Sequence, residues 1–129
     1  MKVENTDLAK QLEAETLGAR LWRLQPGQAS TKHRHLEMHE LYVLLEGEGR
    51  VRVDDEVLTL RPQSALLVEP EHVRQLFNDT DSEALWLVVG SPREDVVSTL
   101  EMTPEQLEFM YPDGPRALPP ELGGGRFEG

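Results

Sequence analysis

A chain of 129 residues is long enough for one domain with a continuous core and too short for two of ordinary size. Its 24 acidic side chains against 13 basic ones leave a formal charge of −11, which opposes condensation onto nucleic acid or anionic lipid, so neither is an expected partner. Cysteine is absent, which excludes disulfides, thiolate metal sites, iron–sulfur clusters and a thiol nucleophile; any metal has to sit on nitrogen and oxygen.

Met1 to about Thr16 is polar, with Leu8 and Leu12 four apart, and reads as a short amphipathic helix of one turn or two. It lacks the apolar core of a signal peptide, and the longest apolar run, Ala84 to Val89, is far below the ~20 residues that span a bilayer. No membrane is expected as a partner, and the cytoplasm is the expected location.

From Gly18 onward the chain reads as short runs bounded by Gly, Pro, Asn and Asp: ARLWRLQPG, ELYVLLEGEG, RVRVDDE, VLTLRPQS, ALLVEPE, HVRQLFNDTD and EALWLVVGSP. Turn signals recur about every ten residues, the signature of an all-β sandwich or barrel. RVRVD is the clearest alternator, with Val51 and Val53 on one face and Arg50 and Arg52 on the other. Gly47 and Gly49 suit a tight hairpin, and Asp54-Asp55 makes the next turn.

Past Pro92 the character changes. Thr103-Pro104-Glu105-Gln106 combines an N-cap residue, proline at the first helical position and a Gln three residues past the cap, predicting a short helix over about 104–110. The remainder, YPDGPRALPPELGGGRFEG, is expected to be irregular, packed near Tyr111 and Leu118 and frayed at its end. One domain over residues 1–129 follows, with a barrel core over about 19–90 and an extension over 91–129.

Residues 27–47, GQASTKHRHLEMHELYVLLEG, gather His33, His35 and His39 beside Glu40. In an extended segment residues two apart point the same way, so His33 and His35 aim both imidazoles at one side, and a turn through Leu36 to His39 lets Glu40 return to that side from the next strand. Two imidazoles and a carboxylate suit one divalent transition-metal ion such as Zn, Fe, Mn, Ni or Cu, with coordination positions left for water or substrate. His39 falls on the opposite face.

Gly27, His33, His35, Glu40 and Gly47 stand at the spacings of the first motif of the cupin superfamily, which this stretch resembles. The resemblance covers roughly Ala19 to Gly90. It implies an all-β double-stranded β-helix, a jelly-roll barrel with its site inside, here with short terminal helices. The family's second motif adds a fourth ligand, a histidine four residues before an asparagine. Anchored on Pro70 and Asn78, this sequence has Arg74 there, with Gln63 and Glu71 where the family often has glycine. His72, two residues earlier and on the same side of a regular strand, is the candidate replacement ligand.

Two roles are open to Arg74. A permanent cation aimed at the site repels a divalent ion and pairs with Glu40, or it is held aside and clamps a carboxylate or phosphate of a bound molecule. Tyr42, two residues after Glu40, shares Glu40's inward face and is the second candidate for substrate binding. Trp22, Trp86, Phe77 and Phe109 read as core.

Leu41, Val43 and Leu45 occupy the other face of the same strand, and covering them requires another sheet, a terminal segment or a second subunit; a homodimer is expected. The leading expectation is a metal-binding cupin acting on or recognising a small polar molecule, with oxygenase and isomerase chemistry both open. The alternatives are a metal-free binding or sensing module that uses Arg74 for an anionic ligand, and a stress or storage role with a purely structural barrel.

Overall fold

The computed structural model describes residues 1–94 and 102–128. Eight strands form: β1 Glu4–Asp7, β2 Gly18–Leu24, β3 His39–Glu46, β4 Gly49–Val53, β5 Glu56–Leu60, β6 Ala65–Val68, β7 Arg74–Phe77 and β8 Ala84–Ser91. They build two antiparallel sheets, one in the order β1-β2-β8-β3-β6 and one in the order β5-β4-β7. This is the double-stranded β-helix, and every run named from the sequence as a strand is one.

The core lies between the sheets because each strand alternates. Tyr42 and Leu44 of β3, Leu24 of β2 and Trp86 and Val88 of β8 meet Val51 of β4 and Leu76 of β7 in one cluster. Outward on β4, Arg50 straddles Asp79 with Nε and Nη2 at 2.9 and 3.0 Å, while Arg52 Nη2 donates to both oxygens of Glu121 at 2.9 and 2.7 Å. The alternation of RVRVD therefore divides core from ion pairs, as its pattern predicts.

The two hairpin glycines serve different ends. Gly47 has φ +86°, and a Cβ there would collide with the Glu83 carbonyl oxygen. Gly49 has ordinary strand geometry; its lack of a side chain admits the Trp86 ring, whose nearest atom is 2.6 Å from where a Cβ would stand.

Of the one or two helical turns expected at the N-terminus one forms, and a strand not foreseen in the sequence precedes it. Residues Glu4–Asp7 pair with Arg23–Arg20 of β2, so only one helical turn, α1 Leu8–Gln11, is left, capped by Asp7. Backbone pairing with β2 takes the residues that an amphipathic helix needs, and Glu13 at φ 55° closes the turn. Ala9 is the buried residue, while Leu12 is 79% exposed.

The second helix, α2 Pro104–Met110, has the predicted limits and a full capping box. Thr103 Oγ1 accepts from the Gln106 amide at 3.2 Å, and Gln106 Oε1 accepts from the Thr103 amide at 2.8 Å. Beyond it the chain turns through a 3₁₀ segment, Pro120–Leu122, and Leu118 N donates to Gly125 O. Ala117 and Pro119 are the buried contacts of this region, with Tyr111 and Leu118 half-buried. The part of the 91–129 extension over 95–101, and the final residue, lie outside the described residues.

Candidate metal centre

The segment 27–35 behaves as a further edge of the small sheet. Hydrogen bonds tie Gly27 and Gln28 to Asn78, Ser30 to Leu76, His33 to Arg74 in both directions, and the His35 amide to Pro70 O. An extended chain held this way alternates: His33 and His35 face the barrel interior, and Arg34 faces out, its Nε donating to Phe109 O at 2.6 Å and its guanidinium 4.2 Å above the Phe109 ring. The C-terminal helix thus braces the loop that carries the two histidines.

Glu40 begins the inward face of β3, followed by Tyr42 and Leu44. Contacts converge on its Oε1: His35 Nε2 at 3.2 Å, His33 Nε2 at 3.5 Å, Arg74 Nη1 at 3.1 Å and the Tyr42 hydroxyl, which donates at 2.8 Å. One ligand atom from each of His33, His35 and Glu40 lies within 4.8 Å of the others. The His35 Nε2 atom is buried and has no hydrogen-bond partner, its alignment on Glu40 being too poor for one. An orphaned buried nitrogen beside a second imidazole and a carboxylate is the donor set of an N/O-ligated divalent ion, and these residues fit one.

Burial, the largest single influence on Glu40, works against its charge, but contact with and charge on His33 and His35 hold the carboxyl well below the usual carboxylate range. Burial likewise works against a proton on His35. The contact and charge of Glu40, with the hydrogen bond to Glu94, outweigh it and raise this imidazole above the ordinary histidine value. Burial drives the Tyr42 hydroxyl well above the ordinary phenol, so it remains a donor.

The structure brings His33, His35, Glu40, Tyr42 and Arg74 together. It does not bring His72. The turn after β6 runs through residues 70–72, β7 starts only at Arg74, and the alternation that would carry His72 inward is therefore absent; its Nδ1 meets Asp54 Oδ2 at 2.6 Å on the outside. Arg74 is 1% exposed, with Nη1 on Glu40 and Nη2 donating to Glu69 O at 2.6 Å, the first of its two expected roles, while its Nε is buried without a partner. His39 is exposed on the far face.

The sequence reading passes over Glu94, just past β8. Its Oε2 accepts from His35 Nδ1 at 2.9 Å, and its Oε1 accepts from the amides of Glu37 and Met38. Nothing local in SPRED marks it; only the return of β8 beside β3, pairing His39 with Ser91, brings it within reach.

The site opens into a cavity of about 750 Å³, lined among others by Trp22, Val88, Met38 and Arg20. Arg20 is held by Asn5 at 2.7 Å and Asp7 at 3.2 Å, so β1 forms part of the cavity wall. The space suffices for a small molecule beside the cluster.

Residues 20–90 match the model of the Cupin domain family. The crystal structure of TT1209 from Thermus thermophilus is similar at 33% identity and a TM-score of 0.66, over 72% of this chain and 86% of that one. A cupin-superfamily sugar phosphate isomerase from Silicibacter pomeroyi is similar at 27% identity and a TM-score of 0.63, over 69% of this chain and 59% of its own. A cupin protein from Bacteroides fragilis shares the fold at 20% identity and a TM-score of 0.65, over 80% and 90% of the two chains. Among curated proteins the sequence finds no match.

Proposed function

The chain belongs to the cupin family, and from that premise we propose that it binds one divalent transition-metal ion through His33, His35 and Glu40 and acts on a small polar molecule held in the adjoining cavity. The observation that carries the reading is the buried, unpartnered His35 Nε2 facing the same point as His33 Nε2 and Glu40. A bound ion there supplies a Lewis acid able to polarise a substrate oxygen. Tyr42 keeps Glu40 oriented by donating to it, and Trp22 and Val88 give the adjoining cavity an apolar lining. Of the two reaction classes open to the sequence, isomerase chemistry is favoured by the Silicibacter pomeroyi neighbour, an isomerase of sugar phosphates.

Elemental analysis of untagged protein, beside the double variant His33→Ala, His35→Ala, tests the reading. The expected result is about one equivalent of metal in the wild type, lost in the variant. Metal absent from both after reconstitution with Fe, Mn, Zn and Ni overturns it.

One observation favours a second reading. Arg74 already neutralises Glu40 at 3.1 Å, which is the arrangement of a metal-free barrel that binds a small molecule without turnover. Chelator-insensitive thermal stability together with ligand binding by metal-free protein would select it.

A further inference from the structure

We propose that Glu94 is a positioning residue of this centre, selecting the His35 tautomer whose Nε2 is free to ligate and supplying the negative charge that Arg74 removes from the cluster; the inference rests on the metal-binding reading above. Its carboxylate divides its work. Oε2 accepts from His35 Nδ1 at 2.9 Å, and Oε1 accepts from the Glu37 and Met38 amides, fixing the loop between His35 and Glu40. An imidazole that donates from Nδ1 presents an unprotonated Nε2 when neutral.

His33 has a weaker counterpart. Its Nδ1 lies 3.0 Å from the Thr31 carbonyl, which can only accept, and 3.3 Å from the Thr31 hydroxyl; when the neutral ring donates to that carbonyl, its Nε2 is left unprotonated as well. The two rings stand edge to face, centroids 4.9 Å apart, and aim these nitrogens at one place.

Charge gives the second part. Among the described residues Glu40 is the only carboxylate within the ligand cluster itself, and Arg74 lies against it. Neutral imidazoles leave such a centre without net negative charge, which disfavours a divalent cation. Glu94, with a side chain 18% exposed, stands directly behind His35 and returns that charge.

Glutamine at position 94 separates these functions from simple bulk. It has one acceptor oxygen where two acceptors are in use, and its amide is a donor. With the oxygen on the loop amides, the amide faces His35 Nδ1 and favours the tautomer protonated at Nε2, the form that cannot ligate.

The test uses the full chain as wild type, Glu94→Gln and Glu94→Ala. Co²⁺ affinity is measured by competition with a chromophoric chelator, and long-range ¹H–¹⁵N spectra of metal-free protein, recorded where imidazoles are neutral, report the His35 tautomer. Both variants are expected to lose roughly 10- to 100-fold in Co²⁺ affinity, with Gln giving no rescue, and His35 is expected to move from the Nδ1–H toward the Nε2–H form. Wild-type affinity in the variants, or an unchanged His35 tautomer, overturns the proposal. If Glu94→Ala does not fold, the near-isosteric Gln variant decides alone. Absence of Co²⁺ binding by the wild type removes the metal reading itself and with it the role of Glu94, whereas wild-type binding with unaffected variants removes Glu94 only.

Discussion

Buried charges around Glu40 make the metal-free protein sensitive to pH on both sides. The raised His35 pKa means that its proton stabilises the fold fully below the ordinary histidine value and is lost as pH rises through the folded value. The lowered Glu40 pKa gives stability present above the ordinary carboxylate value and lost as pH falls through the folded one. The urea midpoint of metal-free protein is therefore expected to be highest near about pH 5–6.5 and to fall toward pH 9, and His35→Ala should flatten the alkaline limb. Metal demands unprotonated imidazoles, so the thermal shift produced by added Zn²⁺ should run the other way and grow from pH 5.5 to pH 8. Arg74→His removes a buried cation and puts an imidazole where the family places its fourth ligand, and tighter metal binding by competition titration is expected.

The elements hold the site by close approach between strands and by one helix. Gly49→Ala drives a methyl group into the Trp86 ring and is expected to destabilise the protein by about 1–3 kcal/mol in urea unfolding. Gly18→Ala, where the added methyl meets nothing within 4 Å and the backbone is not left-handed, should be neutral or stabilising by up to about 1 kcal/mol; equal costs at the two positions would refute the packing account. At the other end of the chain, α2 grips Arg34, the residue between the two histidines, through Phe109 O and its ring. Thr103→Ala removes the cap of this helix, for about 0.5–2 kcal/mol, and the loss should appear as faster amide exchange in 104–110.

Across the whole molecule, the outer face of the larger sheet is apolar over β6, β3 and β8. Leu67 lies opposite Leu41, Leu41 opposite Val89 and Val43 opposite Leu87, forming rows across β6, β3 and β8, with Leu67 62% exposed. On a chain of net charge −11 these apolar rows are where two copies approach with least repulsion, and we propose a second copy as their cover. Light scattering should then give a dimer, with Leu41→Lys, Leu67→Lys monomeric; a monomeric wild type at 100 μM overturns the idea. Among the described residues no helix is long and apolar enough to cross a membrane.

Local chemistry makes much of this legible in the sequence alone. Period-two alternation, turn residues at regular spacing and the capping box around Thr103 are short-range signals, and the strands and α2 follow them. So do His33 and His35, because residues two apart on an extended chain share a side whatever the rest of the fold does, and Glu40 joins them through the short turn into β3. The N-terminal helix is held to one turn, with a strand before it, because pairing with β2 is a long-range gain that no local periodicity registers. Tertiary structure alone decided that His72 stays outside on a turn, that Arg74 is consumed by Glu40 and Glu69, and that Glu94 reaches His35. Those three outcomes depend on where a turn ends and which strands return side by side, which the residues beside either partner do not decide.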